Sequence, residues 1–338
     1  MAKSMFVARV QRYPDLMDDG YVKGQFERAG FRFTDNYCRT DEEILPAVAG
    51  ADGIMAMGPN FNRQTIEQLD RCRVIVQCSV GFNSIDVEAC TDAGIIVANL
   101  AEFCVLEVRN HTLALLLAVN RKVLLGDRQV RAGAWNPRGM YPIQTLYGQT
   151  LGLLGFGNIA RSVAPIAQAL GMNVIASDPY LDPAIAAQYR IAFVGMEELL
   201  RTADYISCHI PLGPQTHHIL GEAQFQMMKP TAYFINTSRG AVVDETALIK
   251  ALQKGWIQGA GLDVLEKEPP AKDNPLFAMD NVILTPHSAG GASGAETMPR
   301  AWRHATEEML RVLNGEWPRW FVNPVVKSRA LRRQAGLR

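Results

Sequence analysis

At 338 residues the chain is longer than one hydrophobic core usually serves, so two domains are expected. Apolar residues make up 48% of it, enough for a core in each half, and 34 basic residues balance 34 acidic ones. That neutrality argues against nucleic acid or an anionic membrane as the main partner, since either wants a basic surplus.

The first third alternates strand and helix. β-rich runs fall at 6–10, 31–36, 53–57, 74–78 and 95–98, with helix-like stretches between them at 15–29, 41–49, 64–69 and 85–93. Gly30, Gly50 and Gly94 stand where those helices would end. Such alternation predicts a parallel sheet covered on both faces. Residues 105–131 are apolar along one face and free of proline, which predicts one or two long helices linking two lobes. After a loop rich in Gly, Pro and aromatics at 135–147, strands are predicted at 151–154, 173–177, 192–194, 205–208, 232–235, 259–262 and 282–284. A helix over 293–314 ends at Gly315. The tail from Lys327 to Arg338 holds five basic residues and no acidic one, and reads as a solvated or disordered end.

The six cysteines lie mostly in apolar runs without C-x-x-C spacing, as core thiols rather than a disulfide framework or zinc site. The adjacent His217 and His218 are expected to diverge and to lack a partner cluster, so no metal is expected. The N-terminus has no secretory h-region, and the longest apolar run, 113–119, is too short to span a membrane. A reducing cytoplasm is the expected compartment.

The glycine-rich stretch at 151–180 is the most informative. Gly155-Phe-Gly157-Asn158-Ile159-Ala160 follows a predicted strand and opens a predicted helix. Gly155 permits a tight turn, Gly157 lets the backbone approach a pyrophosphate, and Ala160 allows close helix–strand packing. The helix N-terminus offers N–H groups to the phosphates. Asp178 ends the next strand, about 20 residues on, where a carboxylate accepts hydrogen bonds from ribose hydroxyls and repels a 2′-phosphate. The cofactor read from this is NAD.

Three charged residues follow strands of the second half: Arg239 after 232–235, Glu268 after 259–262 and His287 after 282–284. In a doubly wound sheet these strand ends face the ligand. The order and spacing of G-F-G-N-I-A, N-T-S-R-G, D-V-x-x-x-E-P and T-P-H-x-A-G resemble the NAD-dependent D-isomer-specific 2-hydroxyacid dehydrogenases, over most of the chain from about residue 74 to 314. Within that family, the stretch 107–122 resembles the branch of C-terminal-binding proteins.

The resemblance implies two Rossmann/flavodoxin-like α/β lobes with parallel sheets. A discontinuous substrate-binding domain would span 1–101 and 293–338, an NAD-binding domain 102–292, with the active site in the cleft. It implies that Arg239 binds the substrate carboxylate and polarises the keto oxygen, while His287 is the acid/base. Glu268 would orient the imidazole and stabilise its charged form. Val80 and Gly81 match the loop whose amides hold the carboxylate; Ile210 and Pro211 match the adenosine-side loop. Thr237 and Ser238 would line the nicotinamide, with Gly290 beside His287. Asp263 would grip the carboxamide, with a turn-forming Asp as a serious competing reading. The implied partners are a small 2-keto or 2-hydroxy acid and a second copy in a homodimer formed by the long helix and the 135–147 loop, without nucleic acid or membrane.

Some positions depart from the family pattern: Gln77 for a frequent Arg, Ala101 for Pro, Asn110 for an acidic residue and Ala160 for the third glycine. Substrate preference therefore cannot be copied from a relative. With the chain stopping near residue 338, control by serine through a C-terminal extension is not expected. The competing readings are an NAD(H)-sensing corepressor-like binding protein and a phosphite-type dehydrogenase.

Overall fold

The computed structural model describes residues 4–13, 20–291 and 297–334. They form two compact units, Met1–Cys104 with Ala292–Arg338, and Val105–Gly291.

The first unit is built from β1 (Phe6–Gln11), α1 (Tyr21–Arg28), β2 (Arg32–Tyr37), α2 (Ile44–Val48), β3 (Gly53–Met57), α3 (Arg63–Ile66), β4 (Val74–Gln77), α4 (Val87–Asp92) and β5 (Ile96–Ala98). The five strands are parallel in the order β2-β1-β3-β4-β5. β1, β3 and β4 are buried along their whole length, which explains continuous runs such as VIV in place of strict alternation. Arg9, 2% exposed, is the charged residue on β1. Its guanidinium pairs with Asp35 on β2 and lies 4.5 Å from the centre of the Trp302 ring, so the buried charge is both neutralised and packed.

The second unit opens with α5 (Val105–Arg121) and α6 (Val123–Arg131), then continues through β6 (Thr150–Leu154), α7 (Asn158–Ala169), β7 (Asn173–Ser177), α8 (Pro183–Tyr189), β8 (Ala192–Phe193), α9 (Met196–Thr202), β9 (Tyr205–Cys208), α10 (Glu222–Met227), β10 (Tyr233–Asn236), α11 (Glu245–Lys254), β11 (Gly259–Leu262) and β12 (Val282–Leu284). Its seven parallel strands run in the order β12-β11-β10-β9-β6-β7-β8. The order reverses at β6, so the crevice at the carboxyl ends of β6 and β9 is the place where such a sheet takes a ligand. The expected long helical stretch is two helices, broken at Lys122 with φ +52°. α5, which opens the second unit, also covers its sheet: a Cβ at Gly261 on β11 would meet Leu115 at 3.1 Å.

The chain then returns to the first unit as α12 (Thr297–Leu313) and α13 (Lys327–Gln334). α12 buries Trp302, Met309 and Leu313, and the missing side chain of Gly53 makes room for Met309. Residues 15–19 and 293–296, the outer ends of two expected helices, lie outside the described residues.

The expected solvated tail is corrected over 327–334, while residues 335–338 lie outside the described residues. α13 buries Ala330, with buried Val326 just before it, and Arg333 donates to the carbonyl oxygens of Cys72 (2.7 Å), Ala93 (2.8 Å) and Leu69. Arg329 pairs with Asp92 at 2.8 Å. Ala93 caps the C-terminus of α4, where carbonyls lack helical partners and favour a cation. Those carbonyls take up charge that composition alone assigned to water.

All six cysteines are buried, and none is in a disulfide. Burial pushes Cys72 and Cys78 up to about 12.

Candidate active site

The glycine loop lies at the switch point of the seven-stranded sheet. Gly155 has φ +81°, and a Cβ there would come within 3.0 Å of the His209 carbonyl. Only glycine permits that turn to pass so close to the end of β9. Gly157 differs: a Cβ there would have no atom within 4 Å, leaving open space over the loop. α7 begins at Asn158 with no side chain capping its first turn, so its leading N–H groups point into that space. Ala160 is fully buried at the third small position.

Asp178, just past β7, accepts hydrogen bonds from the N–H groups of Phe156 (2.9 Å) and Tyr180 (3.0 Å). Its carboxylate therefore fastens the glycine loop. Ile210 is half-buried and Pro211 exposed beside the same loop. Enclosure holds His209 down at about 4, so its ring is neutral there, 3.0 Å from Ser207 Oγ. Open space over Gly157, the uncapped helix start and the carboxylate after β7 together fit a dinucleotide.

The three charged residues come next. Asn236 at the end of β10 is buried, and its Oδ1 accepts from the Ser238 N–H (3.0 Å) and hydroxyl (2.8 Å) while its Nδ2 donates to Arg239 O (3.1 Å). This folds residues 236–239 into a fixed turn that presents Arg239, whose Nη1 donates to Ser238 O at 2.6 Å. Gly240 follows because nothing larger fits: a Cβ would stand 1.9 Å from Leu265 C and O. The turn after β10 thus rests directly on the segment after β11 that carries Glu268.

Glu268 accepts the Leu265 N–H at 3.0 Å through Oε1, and its Oε2 lies 2.6 Å from His287 Nδ1. Burial alone would raise this carboxyl. The hydrogen bond and charge of His287, the Leu265 N–H and the positive charge of Arg239 outweigh burial and hold it below its usual range. Arg239, Glu268 and His287 are thereby brought together.

His287 itself sits at φ +50°, a conformation that non-glycine residues adopt only when held. The hold comes from Asp263, 2% exposed. Its backbone oxygen accepts the His287 N–H (2.8 Å), and its carboxylate accepts the Thr285 hydroxyl (2.6 Å) and the N–H groups of Ser288 and Ala289 (2.9 Å each). Both carboxylate oxygens are engaged with the chain, which favours the turn-forming reading of Asp263. The motif D-V-x-x-x-E-P marked the residue, but the bonds that use it cross from β11 to β12 and have no local signature.

In the first unit, the loop after β4 turns its carbonyls inward: Val80 O accepts Asn99 Nδ2 (2.6 Å) and Gly81 O accepts Ser79 Oγ (2.7 Å). Gln77 joins this loop by donating to Ser79 Oγ at 2.9 Å.

The expected divergence of His217 and His218 is corrected. Their rings stack with centroids 3.9 Å apart, and His218 Nε2 lies 2.8 Å from Glu266 Oε1. One ligand atom from each of the three residues lies within 4.8 Å of the others, at the surface. His218 has φ +52°, which breaks the alternation of side-chain direction that an extended chain would impose.

Among the described residues no helix is long and apolar enough to cross a membrane. Residues 113–289 match the family model described as D-isomer specific 2-hydroxyacid dehydrogenase, NAD binding domain. The chain is 40% identical to a D-3-phosphoglycerate dehydrogenase of Methanocaldococcus jannaschii over 84% of its own length, and spans 54% of that protein. It is also 40% identical to a glyoxylate reductase of Aeropyrum pernix, over 85% of this chain and 88% of the relative. Among solved structures, an acyclic imino acid reductase in complex with NADPH and D-Arg superposes with a TM-score of 0.83 at 30% identity, over 94% of this chain and 100% of that one.

Proposed function

This chain belongs to the family of NAD-dependent D-isomer-specific 2-hydroxyacid dehydrogenases, and we propose that it reduces small 2-keto acids, glyoxylate among them, giving the D-isomer wherever the product has a stereocentre. The observation that carries this is the 2.6 Å contact between His287 and Glu268, close enough to Arg239 for its charge to act on the carboxyl.

Gly155, Gly157, Asn158 and Ile159 would hold the pyrophosphate of NAD, Asp178 the ribose, and Ile210 and Pro211 the adenosine side. Thr237, Ser238, His287 and Gly290 would surround the nicotinamide, with Asp263 fixing the turn beneath them. When bound, the reduced cofactor supplies the hydride that adds to the keto carbon. Arg239 binds the substrate carboxylate and steadies negative charge growing on the keto oxygen. Because Glu268 occupies Nδ1 of His287, Nε2 is the nitrogen left to carry the proton. That proton passes to the keto oxygen, completing the hydroxyl; oxidation of the hydroxy acid runs the same transfer backwards.

The first unit is proposed as the substrate-binding domain, with Val80 and Gly81 as residues that would bind the carboxylate. A homodimer is proposed through the face bearing exposed Val123, Val130, Trp135 and Tyr141, too much apolar surface to leave in water.

The experiment is a panel of 2-keto acids with NADH, each run with and without an added amine. Turnover of a keto acid alone supports the reading. Turnover only with the amine would favour imine reduction, as in the imino acid reductase that this chain resembles. No turnover, with NADH still bound, would favour a cofactor-sensing binding protein.

A further inference from the structure

Two adjacent residues of α5, His111 and Thr112, reach the two turns that carry Arg239 and His287. His111 Nε2 lies 2.8 Å from Thr285 Oγ1, and Thr285 spends its one hydroxyl proton on Asp263 Oδ1 at 2.6 Å. His111 Nε2 must therefore bear a proton and donate it. The same nitrogen is 3.4 Å from Asp263 Oδ1, so it also offsets the charge of the buried carboxylate that anchors residues 285–289. Thr112 is fully buried and donates to Val108 O at 2.8 Å. Its contact with Thr237 Oγ1, also 2.8 Å, is satisfied when the Thr237 hydroxyl donates. Thr237 is two residues before Arg239; Thr285 is two before His287.

We propose that His111 and Thr112 form a two-pronged clamp that sets the positions of the Arg239 and His287 turns, making both of them positioning residues for the dehydrogenase reaction. The inference rests on the roles proposed above for Arg239 and His287. It gives the prongs different signatures. Losing the His111 prong loosens the acid/base and lowers kcat, whereas losing the Thr112 prong loosens the carboxylate-binding turn and raises KM for the keto acid.

The test compares wild type with His111→Leu, His111→Gln, Thr112→Val and Thr285→Val by melting temperature, amide hydrogen exchange and steady-state kinetics. His111→Leu should speed exchange at Ser288 and Ala289 about tenfold, the effect of one lost hydrogen bond. It should also lower kcat about 10- to 100-fold. His111→Gln keeps a donor and should recover most of both. Thr285→Val removes the same bond together with the Thr285–Asp263 bond, so adding His111→Leu to it should change little beyond Thr285→Val alone. Thr112→Val should raise KM several-fold with a smaller change in kcat. If His111→Leu does not fold, Thr285→Val is read in its place. Unchanged exchange at 288–289, or equal losses in the Leu and Gln variants, overturns the clamp whatever the turnover. Faster exchange in a protein whose wild type reduces no keto acid leaves the clamp standing and overturns the dehydrogenase roles of Arg239 and His287 instead.

Discussion

Replacing Gly240 by Ala tests how the site is assembled. The added methyl would sit 1.9 Å from Leu265 C and O and 2.4 Å from Glu266 N, all backbone atoms with no rotamer by which to yield. Carbon atoms in contact prefer roughly 3.5–4 Å, so the two segments must separate by about 1.5–2 Å. Overpacking of this kind costs about 1–3 kcal/mol of stability. In a chain of this size that lowers the melting temperature by about 2–4 °C for each kcal/mol. The catalytic loss should be larger, because the displaced segment includes the Leu265 N–H that holds Glu268 Oε1 at 3.0 Å. A misplacement of about 1 Å in a reacting group is worth about 10²-fold in rate, so kcat should fall at least that far in protein that is still folded. Melting curves and NADH absorbance kinetics at a temperature below the transition give both numbers. Folded Gly240→Ala protein with kcat within about threefold of wild type would refute the claim that this backbone contact positions Glu268.

Other outcomes follow from the same geometry. Glu268 is held below its ordinary range in the folded chain, so its contribution to stability is present above the unfolded carboxyl value, near 4.5, and is lost as pH falls through the lower folded value. The melting-temperature difference between wild type and Glu268→Gln should therefore be full at neutral pH and shrink on acidification below about 4; a constant difference to pH 3 contradicts the pairing. Asp178→Ser removes the charge that repels a 2′-phosphate and should raise the NADPH-to-NADH ratio of kcat/KM by about 10- to 100-fold, and an unchanged ratio removes Asp178 from the ribose site. With Cys72 and Cys78 pushed up to about 12 and all six thiols buried, a thiol reagent at pH 8 should label native protein slowly and six groups after unfolding. One fast native thiol would contradict that burial.

What the sequence disclosed is what local rules govern. The β6–glycine loop–α7 unit is contiguous, and its demands on Gly155, Gly157 and Asp178 fall within about 25 residues, a spacing that dinucleotide loops share. Arg239, Glu268 and His287 were legible because each follows a strand, and parallel strands send their ends to one edge. The bonds that hold them were not. Gly240 is needed only because the β10 and β11 turns touch, and the Asp263 carboxylate is saturated by residues more than 20 positions away. His111 and Thr112 have no local signature, since their partners Thr285 and Thr237 lie more than 120 positions away. The basic tail misled for a related reason: charge count says nothing of the helix-end carbonyls that Arg333 meets. His217 and His218 misled because a left-handed residue overrides the alternation that a sequence suggests.

The proposed reaction is reduction of a keto acid by NADH, with His287, ordered by Glu268, as proton donor and Arg239 as anion clamp. Its most direct measurement is steady-state oxidation of NADH by glyoxylate with the wild-type chain and with His287→Ala. Turnover in the usual enzymatic range of about 1–10³ s⁻¹ is expected for wild type, with a loss of about 10²–10⁴-fold in the folded variant that still binds NADH. Equal rates in the two proteins would contradict it.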